Sequence, residues 1–183
     1  PNQERRPLSV YGYTKSCGEK FIETIMGHSN DGIIIRTSWV MGPVGKNFAK
    51  TILELLKNKD EIKVVSDQIG APTTTFSLAE YCWKIICLSK ENGYIPNILH
   101  YTNSGVASWY DIAVAIKEIG LELGLLNNDV TILPIKTIDY PTPATRPPYS
   151  VLDCSSSYNF LNLKSSIHWR SALKKILESP YIT

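Results

Sequence analysis

Ile33-Ile34-Ile35-Arg36-Thr37-Ser38-Trp39-Val40, ended by Gly42-Pro43, is a β-branched run bounded by turn residues. Its near-continuous apolar start suits a strand buried in a parallel sheet rather than the alternation of a sheet with one wet face. Helical periods flank it on both sides. Upstream, over residues 11–26, Cys17, Phe21 and Ile25 fall one turn apart, as do Ile22 and Met26, with Gly27 as a stop and residues 28–32 as a polar loop. Downstream, Phe48, Ile52, Leu55 and Leu56 share one face of a helix over residues 48–56.

The alternation continues outward. Residues 62–65 read as a short strand, and Asp67-Gln68-Ile69-Gly70-Ala71-Pro72-Thr73 as a loop. Ser77, with Glu80 three residues on, predicts a capping box for a helix carrying Leu78, Tyr81, Cys82, Ile85 and Ile86. Residues 98–102 read as a strand. Residues 108–123 form the clearest amphipathic helix, with Ile112, Ala115, Ile116, Ile119 and Leu123 inward and Asp111 and Glu118 toward solvent. Trp109, at its start, is expected to pack on the core. A strand over residues 130–135 follows, then a loop over residues 139–148 that four prolines hold extended, and a last helix over residues 169–177. Strands alternating with helices predict an α/β architecture with mostly parallel pairing. Nothing repeats internally.

Composition narrows the function classes. The 183 residues are 43% hydrophobic and 20% charged, enough to bury a core of their own. With 19 Lys plus Arg against 17 Asp plus Glu, the net charge of +2 gives no long-range field to recruit nucleic acid or an anionic bilayer. No stretch is apolar for long enough to span a membrane. The opening Pro1-Asn2-Gln3-Glu4-Arg5-Arg6-Pro7 has no apolar signal region and no initiating Met. Cys17, Cys82, Cys87 and Cys154 follow no zinc or redox spacing and read as reduced thiols in a packed core, which points to the cytoplasm. His28, His100 and His168 show no paired ligand spacing, so no protein-bound catalytic metal is expected, and His100 reads as a core imidazole.

The chemistry-bearing stretch is Tyr11-Gly12-Tyr13-Thr14-Lys15. Four residues apart at a helix start, Tyr11 and Lys15 emerge on one face. A free phenol has a pKa of about 10, too high for easy proton exchange at neutral pH, and a neighbouring ammonium pulls it down by favouring the phenolate. Lys15 keeps donors for sugar hydroxyls. Tyr13 has Cys17 four residues on and cannot form such a pair.

The run Tyr-Gly-x-Thr-Lys-x-x-Gly-Glu over residues 11–19, followed by Ile34-Ile35-Arg36-Thr37-Ser38-Trp39-Val40, resembles the extended short-chain dehydrogenase/reductase superfamily, and within it the dTDP-4-dehydrorhamnose reductase branch. Four further stretches agree in order: Gly45-Lys46-Asn47-Phe48; Val64 through Thr73; His100-Tyr101-Thr102-Asn103 with Ser108-Trp109; and Thr142-Pro143-Ala144-Thr145-Arg146-Pro147 with Leu152-Asp153. The resemblance implies the C-terminal portion of a Rossmann-like doubly wound parallel sheet plus a small α/β substrate-binding subdomain. Residues 1–60 would hold the end of the core, and residues 61–183 mainly the subdomain, with elements returning to the core.

The resemblance also implies roles. Tyr11 would donate the proton to the reduced carbonyl oxygen, and Lys15 would lower its pKa and hold the nicotinamide ribose. Trp39 would pack on the sugar nucleotide, although a large aromatic at a strand end also caps cores. Arg36 could clasp pyrophosphate or pair with a buried carboxylate, and the residues favour the carboxylate. Asn47, Gln68 and Arg146 are weaker substrate-binding candidates, with turn or loop anchoring at least as apt. The cofactor implied is NADPH or NADH, and the substrate a dTDP-sugar, dTDP-4-dehydro-L-rhamnose, reduced to dTDP-L-rhamnose. A homodimer is compatible with the reading.

The glycine-rich turn that binds the cofactor phosphates in this superfamily does not occur in these residues. Gly42-Pro43-Val44-Gly45-Lys46 fails the phosphate-loop pattern, with Val40 where the first Gly is needed and Asn47 after the Lys, and reads as a turn into a helix. The family's catalytic Ser/Thr would also precede Pro1. The expectation is therefore a C-terminal portion that is inactive alone. Two alternatives stand beside it: another nucleotide-sugar reductase or epimerase of the superfamily, and a non-catalytic regulatory subunit resembling that of methionine adenosyltransferase. Trp39-Val40-Met41-Gly42, where epimerases and dehydratases carry Asn-Val-Tyr-Gly, favours the reductase branch over the first, and the intact Tyr11–Lys15 pair weighs against the second.

Overall fold

The computed structural model describes residues 3–26, 32–92 and 95–182. The polar lead-in enters α1 (Val10–Met26) where the Gly12 N–H donates to Ser9 Oγ at 3.1 Å, a local side-chain cap on an otherwise orphan donor. The stop expected at Gly27 and the loop expected over residues 28–32 lie, except for Gly32, outside the described residues. The β-branched run forms β1 (Ile34–Arg36), parallel to β6 (Ile98–His100) with Ile34 opposite Ile98. It does not continue unbroken to Val40. Trp39 takes a left-handed backbone at φ 48, which ends the ladder, and β2 (Val40–Met41) resumes beside β5 (Thr73–Thr74). The segment expected as a loop therefore holds two short strands, β4 (Ile69–Gly70) and β5.

Asn47 caps α2 (Phe48–Asn58), and β3 (Glu61–Val65) pairs parallel with β8 (Thr131–Ile135), Ile62 opposite Ile132. Pro134, without an N–H, sits in β8, which has only β3 as a neighbour among the described residues. α3 (Thr75–Asn92) starts earlier than the Ser77 signal indicates. Thr74 Oγ1 accepts from the Ser77 N–H at 3.2 Å, and Glu80 pairs with Lys84 instead of closing a box. β7 (Ala107–Ser108) leads into α4 (Trp109–Glu122), where the true capping box joins Ser108 and Asp111. Asp111 is thus exposed, as expected, and also holds the helix start. β9 (Tyr149–Ser150) runs parallel to β4, which pairs antiparallel with β7 on its other edge. α5 (Ser155–Phe160) and α6 (Trp169–Leu177) complete the chain. The result is the mixed, mostly parallel α/β arrangement that the alternation predicts.

Two hydrophobic clusters hold these elements. The larger joins α2, β3, α4, β8 and α6 through Leu53, Leu56, Ile112, Ile116, Leu173 and Ile176. Each such side chain contributes about 1.5–3 kcal/mol by leaving water. The smaller joins β1, α3, β6 and α5 around Tyr81, Ile85 and Leu99, with Tyr81 stacked on Tyr101 at 4.2 Å. All four cysteines are free, but only Cys154 is buried and Cys87 is exposed, so the packed-thiol expectation holds for one of them. No described helix is long and apolar enough to cross a membrane. The apolar positions of α1 differ most from expectation: none of its residues is buried.

Candidate active site

Helical pitch brings Tyr11 and Lys15 together at the start of α1, with Lys15 Nζ 5.5 Å from the centre of the Tyr11 ring. Both are exposed, Tyr11 at 72%. Among the described residues, neither the phenol oxygen nor the ammonium has a hydrogen-bond or ion-pair partner. The pair is therefore accessible and its polar atoms are uncommitted. Tyr13 differs: it faces the Cys17 thiol, and hydrogen bonding with that group pushes its phenol pKa up.

Tyr11 opens into a cavity of about 390 Å³ whose walls include Ser38, Trp39, Gln68, Trp109, Arg146 and Ser150. An adjoining cavity of about 440 Å³ shares Gln68, Trp109 and Arg146 and adds Asn47, Phe48 and Tyr140. The shared wall is built from aromatic contacts. Trp39 stacks on Trp109 at 3.8 Å and 12°, and Phe48 tilts against Trp109 at 4.5 Å. The Trp109 indole N–H donates to Gln68 Oε1 at 3.1 Å, and Gln68 Nε2 donates to Thr137 Oγ1 at 3.1 Å. Thr137 in turn donates from its N–H and Oγ1 to Asp67, which lowers the pKa of that carboxyl. Gln68 is only 6% exposed, so both amide ends are satisfied by protein groups.

On the other side of the first turns of α1, a cavity of about 740 Å³ is lined by Lys15, Ser16, Glu19, Arg36, His100 and Asp153, among others. Arg36 grips Glu19 with two parallel bonds, Nε to Oε1 at 2.8 Å and Nη2 to Oε2 at 2.6 Å. Arg5 also pairs with Glu19, at 2.5 Å, and with Glu23. The Glu19 carboxyl is held below its ordinary pKa, first by the Arg36 hydrogen bonds and then, against the opposing cost of burial, by Arg5. His100 Nδ1 donates to the Asp153 carbonyl at 3.0 Å, so its Nε2 faces Arg36 Nη1 at 3.4 Å as the unprotonated nitrogen. Burial chiefly, and Arg36 in addition, lower the His100 pKa.

The expected residues thus fall around three cavities, two of which share a wall. Tyr11, Trp39, Gln68 and Arg146 meet in one; Lys15 and Arg36 face the second; Asn47 lines the third. Of the two readings open for Arg36, the geometry is pairing with a carboxylate, Glu19. Asn47 is a helix cap and turn anchor, its Nδ2 donating to the Gly42 carbonyl at 2.8 Å and the Gly45 carbonyl at 3.1 Å. Arg146 is exposed and, among the described residues, has no partner. Trp109, expected to pack on the core, also stands in two cavities. The Ser108-Trp109 motif pointed to this stretch, though not to that role. His168 caps α6 by accepting from the Arg170 N–H. His28 lies outside the described residues, among which no three His, Cys, Asp or Glu side chains gather as a metal site.

The family described as RmlD substrate binding domain matches residues 1–182. The chain belongs to that family. This RmlD-type chain is 41% identical over 172 residues to spore coat polysaccharide biosynthesis protein SpsK of Bacillus subtilis strain 168, covering 94% of this chain and 55% of that protein. It is 40% identical over 173 residues to dTDP-4-dehydrorhamnose reductase of Aggregatibacter actinomycetemcomitans, covering 93% and 57% respectively. A dTDP-4-dehydrorhamnose reductase of Bacillus anthracis, solved in complex with NADP, superposes with a TM-score of 0.83 at 30% identity, over 96% of this chain and 57% of that one. The chain therefore spans a little over half the length of the relatives it matches.

Proposed function

We propose that this chain supplies the proton-delivering pair and the sugar-nucleotide site of an NAD(P)H-dependent reductase that converts dTDP-4-dehydro-L-rhamnose to dTDP-L-rhamnose. The observation that carries the reading is the convergence of Tyr11, Trp39, Gln68 and Arg146 on one cavity, with the Lys15 ammonium beside the Tyr11 ring. Family membership and the reductase activity for which several relatives are named support it.

Reduced nicotinamide, when bound, supplies the hydride. The residues present fit its ribose on one side, because Lys15 lines a cavity and its ammonium has no hydrogen-bond partner among the described residues. Tyr11 holds the proton that the C4 oxygen needs as negative charge develops on it. Transfer from the phenol leaves a phenolate, which the adjacent ammonium stabilises. The exposed face of Trp39 suits the apolar flank of a deoxysugar. The Arg146 guanidinium, without a partner among the described residues and shared by the Tyr11 cavity and its neighbour, suits the diphosphate between sugar and base.

The test is Tyr11→Phe in the complete enzyme. Turnover should fall by about a hundred- to ten-thousand-fold, the usual contribution of general acid catalysis. Affinity for dTDP-L-rhamnose should stay within about threefold, since the hydroxyl is one contact among many. Undiminished turnover would show that the proton comes from another group.

A further inference from the structure

Trp39 is held in an unusual way. Its backbone lies in the left-handed region at φ 48, where a bulky side chain is an outlier and strained. Two neighbours fix the indole once the backbone has turned. Trp109 covers one face at 3.8 Å, near parallel, and is itself pinned by its N–H bond to Gln68 and by Phe48. Gly70 in β4 lies at the indole edge so closely that a Cβ there would sit 2.5 Å from Trp39 Cε2 and 2.6 Å from Cζ2. No L residue with a Cβ fits that gap unless the indole moves.

We infer that Trp109 and Gly70 are positioning residues, which set the Trp39 indole as the sugar-facing wall of the Tyr11 cavity. The inference rests on the proposal that Trp39 contacts the sugar. The strained backbone aims the indole, the Trp109 stack supplies the contact area that offsets the strain, and Gly70 leaves the space into which the ring edge fits. Because β4 also carries the partner strands β7 and β9, the wall is tied to the start of α4 and to the end of the proline-rich loop that bears Arg146.

The experiment is a double-mutant cycle on affinity for dTDP-L-rhamnose in the complete enzyme, read by calorimetry. Trp39→Leu and Trp109→Leu should each weaken binding about tenfold, and the double variant should be no weaker than either single one by more than about twofold, because both remove the same wall. Trp109→Phe, which keeps an aromatic face, should restore affinity to within about threefold of the starting protein. Gly70→Ala should weaken binding about tenfold on its own, and it carries the test if Trp109→Leu fails to fold. KM should rise in the Trp109 and Gly70 variants while kcat changes little, a split that a merely destabilised fold does not give. Unchanged affinity in Trp109→Leu or Gly70→Ala overturns the inference, as do additive losses near a hundredfold, which would mean that Trp109 binds the ligand independently. If the unsubstituted protein does not bind dTDP-L-rhamnose, the functional proposal itself falls, and the inference with it.

Discussion

α1 and α4 are held in place by different forces. In α4, Ile112, Ala113, Ala115, Ile116, Ile119 and Gly120 are buried, and the helix packs against α2, α6 and the β3–β8 pair. α1 is longer and carries as many large apolar residues, yet Phe21, Ile22, Ile25 and Met26 are exposed. Its ion-pair tethers come from two glutamates. Glu19 bridges Arg36 of β1 and Arg5 of the lead-in, and Glu23 also takes Arg5. An apolar stripe guarantees burial only when the rest of the fold brings a surface to it.

The contrast can be broken by substitution. Ile116→Ala, at a site fully removed from water, should cost about 2–5 kcal/mol in chemical unfolding, because no neighbour can close the cavity completely. Glu19→Ala should cost about 1–3 kcal/mol by taking this carboxylate from the partly buried Arg36 guanidinium and leaving Arg5 to Glu23 alone. Hydrogen exchange should show that loss in α1 and β1 while α4 keeps its protection. An equal loss of protection in α4 would mean that the two helices form one cooperative unit.

Acid sharpens the same difference. The Glu19 pKa is depressed in the fold, so its contribution is complete above the unfolded value of about 4.3 and is lost as pH falls through the folded value. His100, also depressed, stabilises fully above about 6.5 and loses its contribution as pH falls through its folded value, where the new imidazolium would face Arg36. Exchange in α1, β1 and β6 should therefore accelerate relative to α4 as the solution is acidified. A uniform response across the chain would contradict this. The smallest effect belongs to Phe21→Ala, about 0.5 kcal/mol or less at a position 67% exposed. A cost of core size there would show that another surface packs on α1.

The legibility of the sequence follows the range of the interaction. The α6 bounds and the inward stripe of α4 were readable because each is set by neighbours three and four residues away. The start of α3 was not. Ser77 with Glu80 has the spacing of a capping box, but Thr74 is presented by the β2–β5 pairing and takes the cap first. The break at Trp39 was equally hidden, since a β-branched strand does not announce a residue at positive φ. For Arg36 the residue type indicated a carboxylate partner, and only the placement of α1 beside β1 identified it as Glu19.

By itself the sequence determined the α/β alternation and the juxtaposition of Tyr11 with Lys15, because both arise within a few residues of chain and a fixed helical pitch. Only the tertiary structure decided that Trp39, Gln68, Trp109 and Arg146 share one wall with Tyr11. Those residues lie in five separate segments, and contact between distant segments depends on the path of the whole backbone, which no local spacing encodes.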